Sequence, residues 1–379
     1  MELIERKHCV FSHKHDLELL DSFKDFPAFI GCVDHPPEED LKADMNWWIS
    51  KSTGSLQLNP LIPLDVLYAN SHGSGSTGEL WMQHHVKFAE FVHDYGVKSA
   101  LEIGAGHGIL AKNYLEMVPD AHWTIIEPNP ALEYSDNVHV IRGMFDQNFS
   151  LGHRVDAVIH SHLIEHLYEP SDLIADISQL LEQGQLQLFS VPRLEVMLEK
   201  KYTNCINFEH TVFLTEPFID YLLSVNAFEV LEKRYFLYDH SIFYACKRVR
   251  AATEIRPIPS EYEKNKRVFE EYVRFHLDLI NDLDDKIASH DGKVFMFGGH
   301  IFSQYLIAFG LDESKIECIL DNDTNKQNKR LYGTSRLVQS PRILKDLENA
   351  AVILRAGVYN REIKEDIINN INPRVTFWE

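Results

Sequence analysis

Three clusters in the 379-residue chain combine residue types and spacings suited to chemistry. Gly104, Gly106 and Gly108 punctuate a turn between the apolar run Ser99–Ile103 and a helix that the pattern starts near Ile109. Glycine lacks a Cβ and tolerates positive φ, so a ligand can approach the backbone closely, and the following helix offers unpaired N–H groups. A nucleoside-containing cofactor suits such a turn. The dinucleotide fingerprint G-x-G-x-x-G would place its third glycine at Ile109. Here that glycine stands one position earlier, with Glu102 just ahead of the first, a spacing that favours S-adenosylmethionine over a nicotinamide dinucleotide. Glu127 ends the next apolar run, where the second strand of such a unit presents a carboxylate to the ribose hydroxyls. The other two clusters are His160-Ser-His162-Leu-Ile-Glu165-His166 and Asn207-Phe-Glu209-His210. Methyl transfer from a sulfonium asks a protein to align donor with nucleophile and to remove one proton, and histidine moves protons near neutral pH.

These residues need a scaffold. From Val97 to about Arg250 apolar strands alternate with amphipathic helices in the doubly wound manner of an α/β Rossmann-like sheet. The run VDAVIHSHLIEHLYEP supplies a fourth strand and its carboxyl-end loop, the edge at which open α/β sheets bind ligands. LQLFSVP is the fifth strand, and FEVLEKRYF with HSIFYACKR reads as a closing antiparallel hairpin. Upstream, the segment to Gly73 has weak periodicity and many breakers and reads as a small loop-rich module. A Gly/Ser loop then leads into a helix from Glu79 whose stripe carries Trp81, His85, Phe88, Ala89 and Val92. His84 or His85 is expected to shape the cofactor pocket. Residues from about Pro257 to Ser289 form one charged helix with apolar positions at Val268, Tyr272, Val273, Leu277, Ile280, Leu283 and Ile287. A second α/β unit follows, with the turn Gly298-Gly299 and a strand ending at Asp321. The expected division is residues 1–73 for the N-terminal module, 74–252 for the cofactor-binding domain, 253–290 for the linker helix and 291–379 for the C-terminal Rossmann-like domain.

Fifty-seven acidic against 37 basic side chains leave a net charge of -20, which excludes a general nucleic-acid or anionic-membrane partner. A small phosphate-bearing substrate is compatible, because a pocket can be locally basic. No apolar run reaches about 18 residues and the N-terminus lacks the apolar core of a signal peptide, so a cytoplasmic protein is expected. The five cysteines are scattered and imply no disulfide framework. Oligomeric state is open.

The pattern Glu102-x-Gly104-x-Gly106-x-Gly108 with Glu127 resembles motifs I and II of class I methyltransferases. The domain order, and the run DNDTNKQNKRLYGT followed by Ser340-Pro341, resembles the sugar C-methyltransferases that branch deoxysugars on nucleotide carriers. That resemblance implies a seven-stranded sheet binding S-adenosylmethionine, with Glu102 near the methionine moiety, Glu127 on the ribose, and Met144 and Phe145 against the adenine. It places His72 near a tyrosine position in the loop over the acceptor, while His160 reads, independently of the resemblance, as a cofactor-edge residue rather than a base. It aligns Asn207-Phe-Glu209-His210 with a Tyr-His-Glu-His passage, so Asn207 is expected at the substrate, Glu209 and His210 in catalysis with His210 as base, and His166 beside them. The family's two Cys-x-x-Cys zinc pairs align with Cys9–Ser12 and Ser50–Thr53, where three of four thiolates are missing; no metal is expected.

The function implied is methylation of a keto-deoxysugar at the carbon beside its keto group. Methylation of an oxygen or nitrogen of a sugar or other small metabolite is the alternative. A nicotinamide-dependent oxidoreductase and a non-catalytic binding protein are the further readings.

Overall fold

The computed structural model describes residues 2–68, 78–130, 137–251 and 254–379. Its N-terminal part builds an antiparallel sheet from β1 (Leu17–Pro27), β3 (Lys42–Ser50) and β4 (Leu56–Leu58), while the short β2 (Cys32–Val33) turns away toward the C-terminal part. The segment expected to be loop-rich is therefore partly sheet. Register shifts at Leu19/Asp21 and Phe23/Phe26 break the alternation along β1, and a bulged strand loses the period-2 signal by which sequence reveals it. The short helix α1 (Leu64–Leu67) closes this part, and α2 (Glu79–His93) begins the next.

Seven strands then form one sheet: β5 (Ser99–Ile103), β6 (His122–Glu127), β7 (Val138–Arg142), β8 (Ala157–Ser161), β9 (Leu186–Pro192), β10 (Phe228–Phe236) and β11 (Ser241–Arg248). Their spatial order is β10-β11-β9-β8-β5-β6-β7, parallel except for β11, which runs antiparallel to both β9 and β10. The order reverses at β5, so the crevice beyond its carboxyl end is where such a sheet accepts a ligand. Alternation divides β5 between two cores. Leu101 and Ile103 pack with α4 (Pro170–Leu180) and α6 (Glu216–Val225). Ala100 packs on the opposite face, with α2 and α3 (Ile109–Met117).

The short helix α5 (Leu194–Glu199) follows β9, and the long α7 (Tyr262–Ser289) follows β11. Pro257 and Pro259 lie ahead of its first turn, which is why it starts later than the charge pattern suggests. It buries Phe269, Tyr272, Ile280, Leu283 and Ile287, while Leu277 is exposed. The last sheet is built from β12 (Lys293–Phe297), β13 (Ile316–Leu320), β15 (Val338–Gln339), β16 (Ala350–Leu354) and β17 (Thr376–Trp378), in the parallel order β15-β13-β12-β16-β17. Helices α8 (Ile301–Ala308) and α9 (Asn360–Asp366) flank it. The strand β14 (Arg330–Leu331) pairs with β2. Gly299, in the turn after β12, donates to Asp321 Oδ2 at 2.8 Å, and a Cβ there would lie 3.1 Å from Cys32 Sγ. This second glycine turn is filled by the protein itself. Among the described residues no helix is long and apolar enough to cross a membrane.

One apolar cluster spans these parts: Phe26, Trp47 and Leu58 meet Leu194, Phe208, Phe269 and Tyr305. Buried Arg6 pins the same region by donating to the carbonyls of Tyr168, Leu58 and Thr211 at 2.7, 3.0 and 2.6 Å. Arg6→Ala removes this donor from all three carbonyls; that of Thr211 keeps Leu58 N–H at 2.9 Å, and each one left with no partner costs about 1–3 kcal/mol. The expected result is a loss of about 3 kcal/mol or more in a urea melt, with an unchanged m value; a loss below about 1 kcal/mol contradicts this role.

Candidate active site

The strand β5, the glycine turn and α3 form as the apolar and glycine pattern implies. Gly104, Gly106 and Gly108 take φ of 73, 53 and 64°, values that side-chain-bearing residues rarely adopt. A Cβ at Gly106 would meet nothing within 4 Å, so the turn faces open space, whereas one at Gly104 would lie 3.2 Å from Leu163. The Glu127 carboxylate, at the end of β6, accepts from Gly106 N–H at 3.2 Å and Asn129 N–H at 3.1 Å. It therefore stands beside the turn, with oxygens that could accept from the hydroxyls of a ribose. Gly143 N–H donates to the Glu127 carbonyl at 3.2 Å, which brings the following Met144 and Phe145 to the same edge. Met144 is exposed, and Phe145 packs on Phe149 at 5.2 Å between ring centroids.

Glu102 lies on the face of β5 that carries Ala100 and accepts from Trp123 Nε1 at 2.7 Å. Burial pushes its carboxyl up to about 7. Between its ordinary value near 4.5 and about 7, the folded chain holds a proton that the unfolded chain has released, so stability falls as pH rises through that window. The full difference is on the order of 3 kcal/mol. Glu102→Gln, which keeps the acceptor for Trp123, is expected to flatten that decline in melts taken from about pH 5 to about pH 8; an undiminished slope contradicts it. His160 is fully buried in β8, with its ring stacked on Phe189 at 4.8 Å and accepting from Gln187 Nε2 at 3.0 Å.

The second half of the site collects around His166. It follows β8 in the single-turn helix Ile164–His166, whose Glu165 carbonyl accepts from Thr211 N–H at 3.0 Å. That bond draws the 207–210 segment against it, so residues far apart in sequence become neighbours: the His166 and His210 rings lie 5.3 Å apart. Glu209 Oε2 is 3.8 Å from His166 Nδ1. Glu165 is buried between His162 and His166, 3.5 and 3.7 Å from their nearest nitrogens, and burial raises its carboxyl to about 8.

His210 Nδ1 lies between two partners, the Cys205 carbonyl oxygen at 3.1 Å, which can only accept, and Asn207 Nδ2 at 3.2 Å, which can only donate. In the tautomer that donates to Cys205, Nε2 keeps its lone pair. Asn207 Oδ1 accepts from His210 N–H at 2.7 Å and fixes the loop. Burial lowers the ring to about 4, leaving it neutral at pH 7.

Tyr68, at the end of α1, joins the two halves. Its hydroxyl lies 2.9 Å from His166 Nδ1, and its carbonyl accepts from Asn129 Nδ2 at 2.8 Å, beside Glu127. Sequence reasoning passed over Tyr68 and pointed to His72, which lies outside the described residues; the only signal for Tyr68 is a tyrosine just ahead of the Gly/Ser loop. The glycine turn with Glu127 can hold an adenosyl group, and the histidine cluster can move a proton next to it.

Residues 81–233 match a family profile described as a methyltransferase domain. No curated protein matches the chain. Among solved structures it is similar to an O-methyltransferase family protein from Burkholderia thailandensis, at 14% identity and TM-score 0.36 over 46% of this chain and 58% of that one. It is also similar to the N-methyltransferase NodS from Bradyrhizobium japonicum WM9 in complex with S-adenosyl-L-homocysteine, at 15% identity and TM-score 0.37 over 48% of this chain and 93% of that one. A third is the 1,6-didemethyltoxoflavin-N1-methyltransferase of Burkholderia thailandensis, at 13% identity and TM-score 0.39 over 54% and 96%. The chain spans about three fifths of the length of the first of these, 58%.

Proposed function

We propose that this chain, whose residues 81–233 match a methyltransferase-domain profile, is a class I S-adenosylmethionine-dependent methyltransferase that methylates a nucleotide-linked keto-deoxysugar in the cytoplasm, at the carbon beside the keto group. The observation that carries the reading is His210: a buried, neutral imidazole with a lone pair to accept a proton, set against His166 and, through His166 and Tyr68, next to Asn129 beside Glu127. Carbon methylation needs such a base, because the α-proton must leave before the carbon can attack.

When bound, S-adenosylmethionine supplies an electrophilic methyl group. Glu127 and the N–H groups of the glycine turn hold and orient the adenosyl end, and Met144 and Phe145 offer it apolar surface. His210 Nε2 accepts the α-proton, with Nδ1–H anchored on the Cys205 carbonyl so that the resulting imidazolium stays oriented. Tyr68 and His166 are hydrogen-bonding groups at hand for the developing enolate oxygen. Asn207 holds the backbone of His210, and Glu209 lies beside His166.

Support for a sugar acceptor comes from the N-terminal part. Cys9 Sγ lies 3.3 Å from Thr53 Oγ1 and 3.3 Å from Ser55 Oγ, and Ser12 Oγ 3.5 Å from Ser52 Oγ. The two segments aligned with the zinc pairs of sugar C-methyltransferases thus meet in space, held here by hydroxyls and one thiol. The proposed division of the chain into residues 1–73, 74–252, 253–290 and 291–379 follows the same resemblance.

The test is incubation of the purified chain with methyl-labelled S-adenosylmethionine and nucleotide sugars with and without a 4-keto group. Label on the carbon next to the ketone, and only in keto substrates, is the expected result. Label on oxygen or nitrogen contradicts carbon methylation and returns the oxygen/nitrogen alternative.

A further inference from the structure

His84, His162 and His240 come from three separate elements: α2, the loop after β8, and the turn between β10 and β11. Each offers one ring nitrogen, and these atoms lie within 4.8 Å of one another. The rings surround Trp81, whose centroid is 5.3, 4.8 and 4.9 Å from those of His84, His162 and His240. Each ring also has a nitrogen on a serine hydroxyl: His84 Nε2 on Ser190 Oγ at 2.8 Å, His162 Nε2 on Ser241 Oγ at 2.9 Å and His240 Nδ1 on the same oxygen at 2.6 Å. Ser190 and Ser241 are themselves fully buried. The second nitrogen of His84 is buried without a partner, an uncommon state for a polar atom. We propose that His84, His162 and His240 form a tris-imidazole site for a borderline divalent cation of the zinc and cobalt class, distinct from the acceptor cluster around His210.

The chemistry of the donors fits. Imidazole suits such ions, and softer or harder ligands are absent from the trio. Burial disfavours the charged form of all three rings, and a neutral imidazole keeps one lone pair with which to ligate. Tetrahedral bonding at 2.0–2.1 Å requires donor nitrogens about 3.4 Å apart, which side-chain rotations of about 1 Å would bring about. The buried serine hydroxyls hold the three rings in orientation. Three protein ligands leave a fourth position for water or an oxygen of a bound molecule, the ligand count of an open rather than a closed structural site. Glu165, 3.5 Å from His162 Nδ1, links this site to the acceptor cluster.

The test is cobalt binding by the full-length chain after chelator treatment, read by the visible bands of four-coordinate Co2+ and by calorimetry. One equivalent is expected. His240→Ala should weaken it about tenfold or more, and Ser241→Ala, which frees two of the three rings from the hydroxyl that orients them, by a smaller factor of about threefold or more. His210→Asn and Cys9→Ser should leave the bands and affinity within twofold of wild type, with melting temperatures reported for every variant. Wild-type binding no tighter than that of His240→Ala overturns the proposal and leaves the rings as an aromatic box around Trp81. Bands that vanish in His210→Asn and persist in His240→Ala overturn it as well, because the ion then sits on Glu165, His166 and His210, the other cluster with suitable donors.

Discussion

His210→Asn lowers turnover by about 100-fold or more while leaving the affinity for S-adenosylhomocysteine within about threefold. The size follows from losing a positioned general base. Asparagine is the informative replacement because its Nδ2–H can still donate to the Cys205 carbonyl that now holds His210 Nδ1, at 3.1 Å. The loop then keeps its shape, and the lone pair of the imidazole disappears. The same geometry predicts a pH response. Burial lowers the ring to about 4, so the base is already neutral at pH 7. Activity per cofactor-loaded enzyme should stay level as pH drops from 7 and decline only as it approaches 4. Single-turnover kinetics on wild type and variant separate chemistry from binding. A rate unchanged by the substitution removes His210 from the mechanism, and a break near pH 6.5 would mean that the ring is solvated as an ordinary histidine.

Glu127→Ala reduces affinity for S-adenosylhomocysteine by about 10–100-fold, the worth of a hydrogen bond or two to a charged group. In the free protein the carboxylate already gathers Gly106 N–H and Asn129 N–H, so its position is set before any ligand arrives. Glu127→Gln keeps one acceptor oxygen and should lose less. Calorimetric titration of both variants orders the three proteins as wild type, glutamine, alanine. Equal affinities for all three would mean that the adenosyl group is held elsewhere.

How far the sequence foretold this arrangement depended on whether each element carried its signal locally. The central sheet was readable because its parallel strands are buried on both faces and appear as continuous apolar runs, as in Leu101–Ile103 and Ala157–Ile159. The glycine turn was readable because only glycine adopts its three positive φ angles comfortably. The N-terminal sheet was hidden by the bulges of β1 and by its half-exposed residues. The pairing of His166 with His210 could be suspected only through resemblance, since a backbone bond from Thr211 to Glu165 is what draws them together. Tyr68 was missed because a four-residue helix leaves no periodic trace. The trio of His84, His162 and His240 has no motif spacing at all; three unrelated elements bring it together.

A crystal structure with S-adenosylhomocysteine tests the central claim most directly. The account predicts the ribose hydroxyls on the Glu127 carboxylate, the adenosyl chain along Gly104–Gly108, and the sulfur on the side of Tyr68, His166 and His210. An adenosyl group bound away from Glu127, or a sulfur turned from His210 so that nothing lies between it and the imidazole to accept a methyl group, would contradict it.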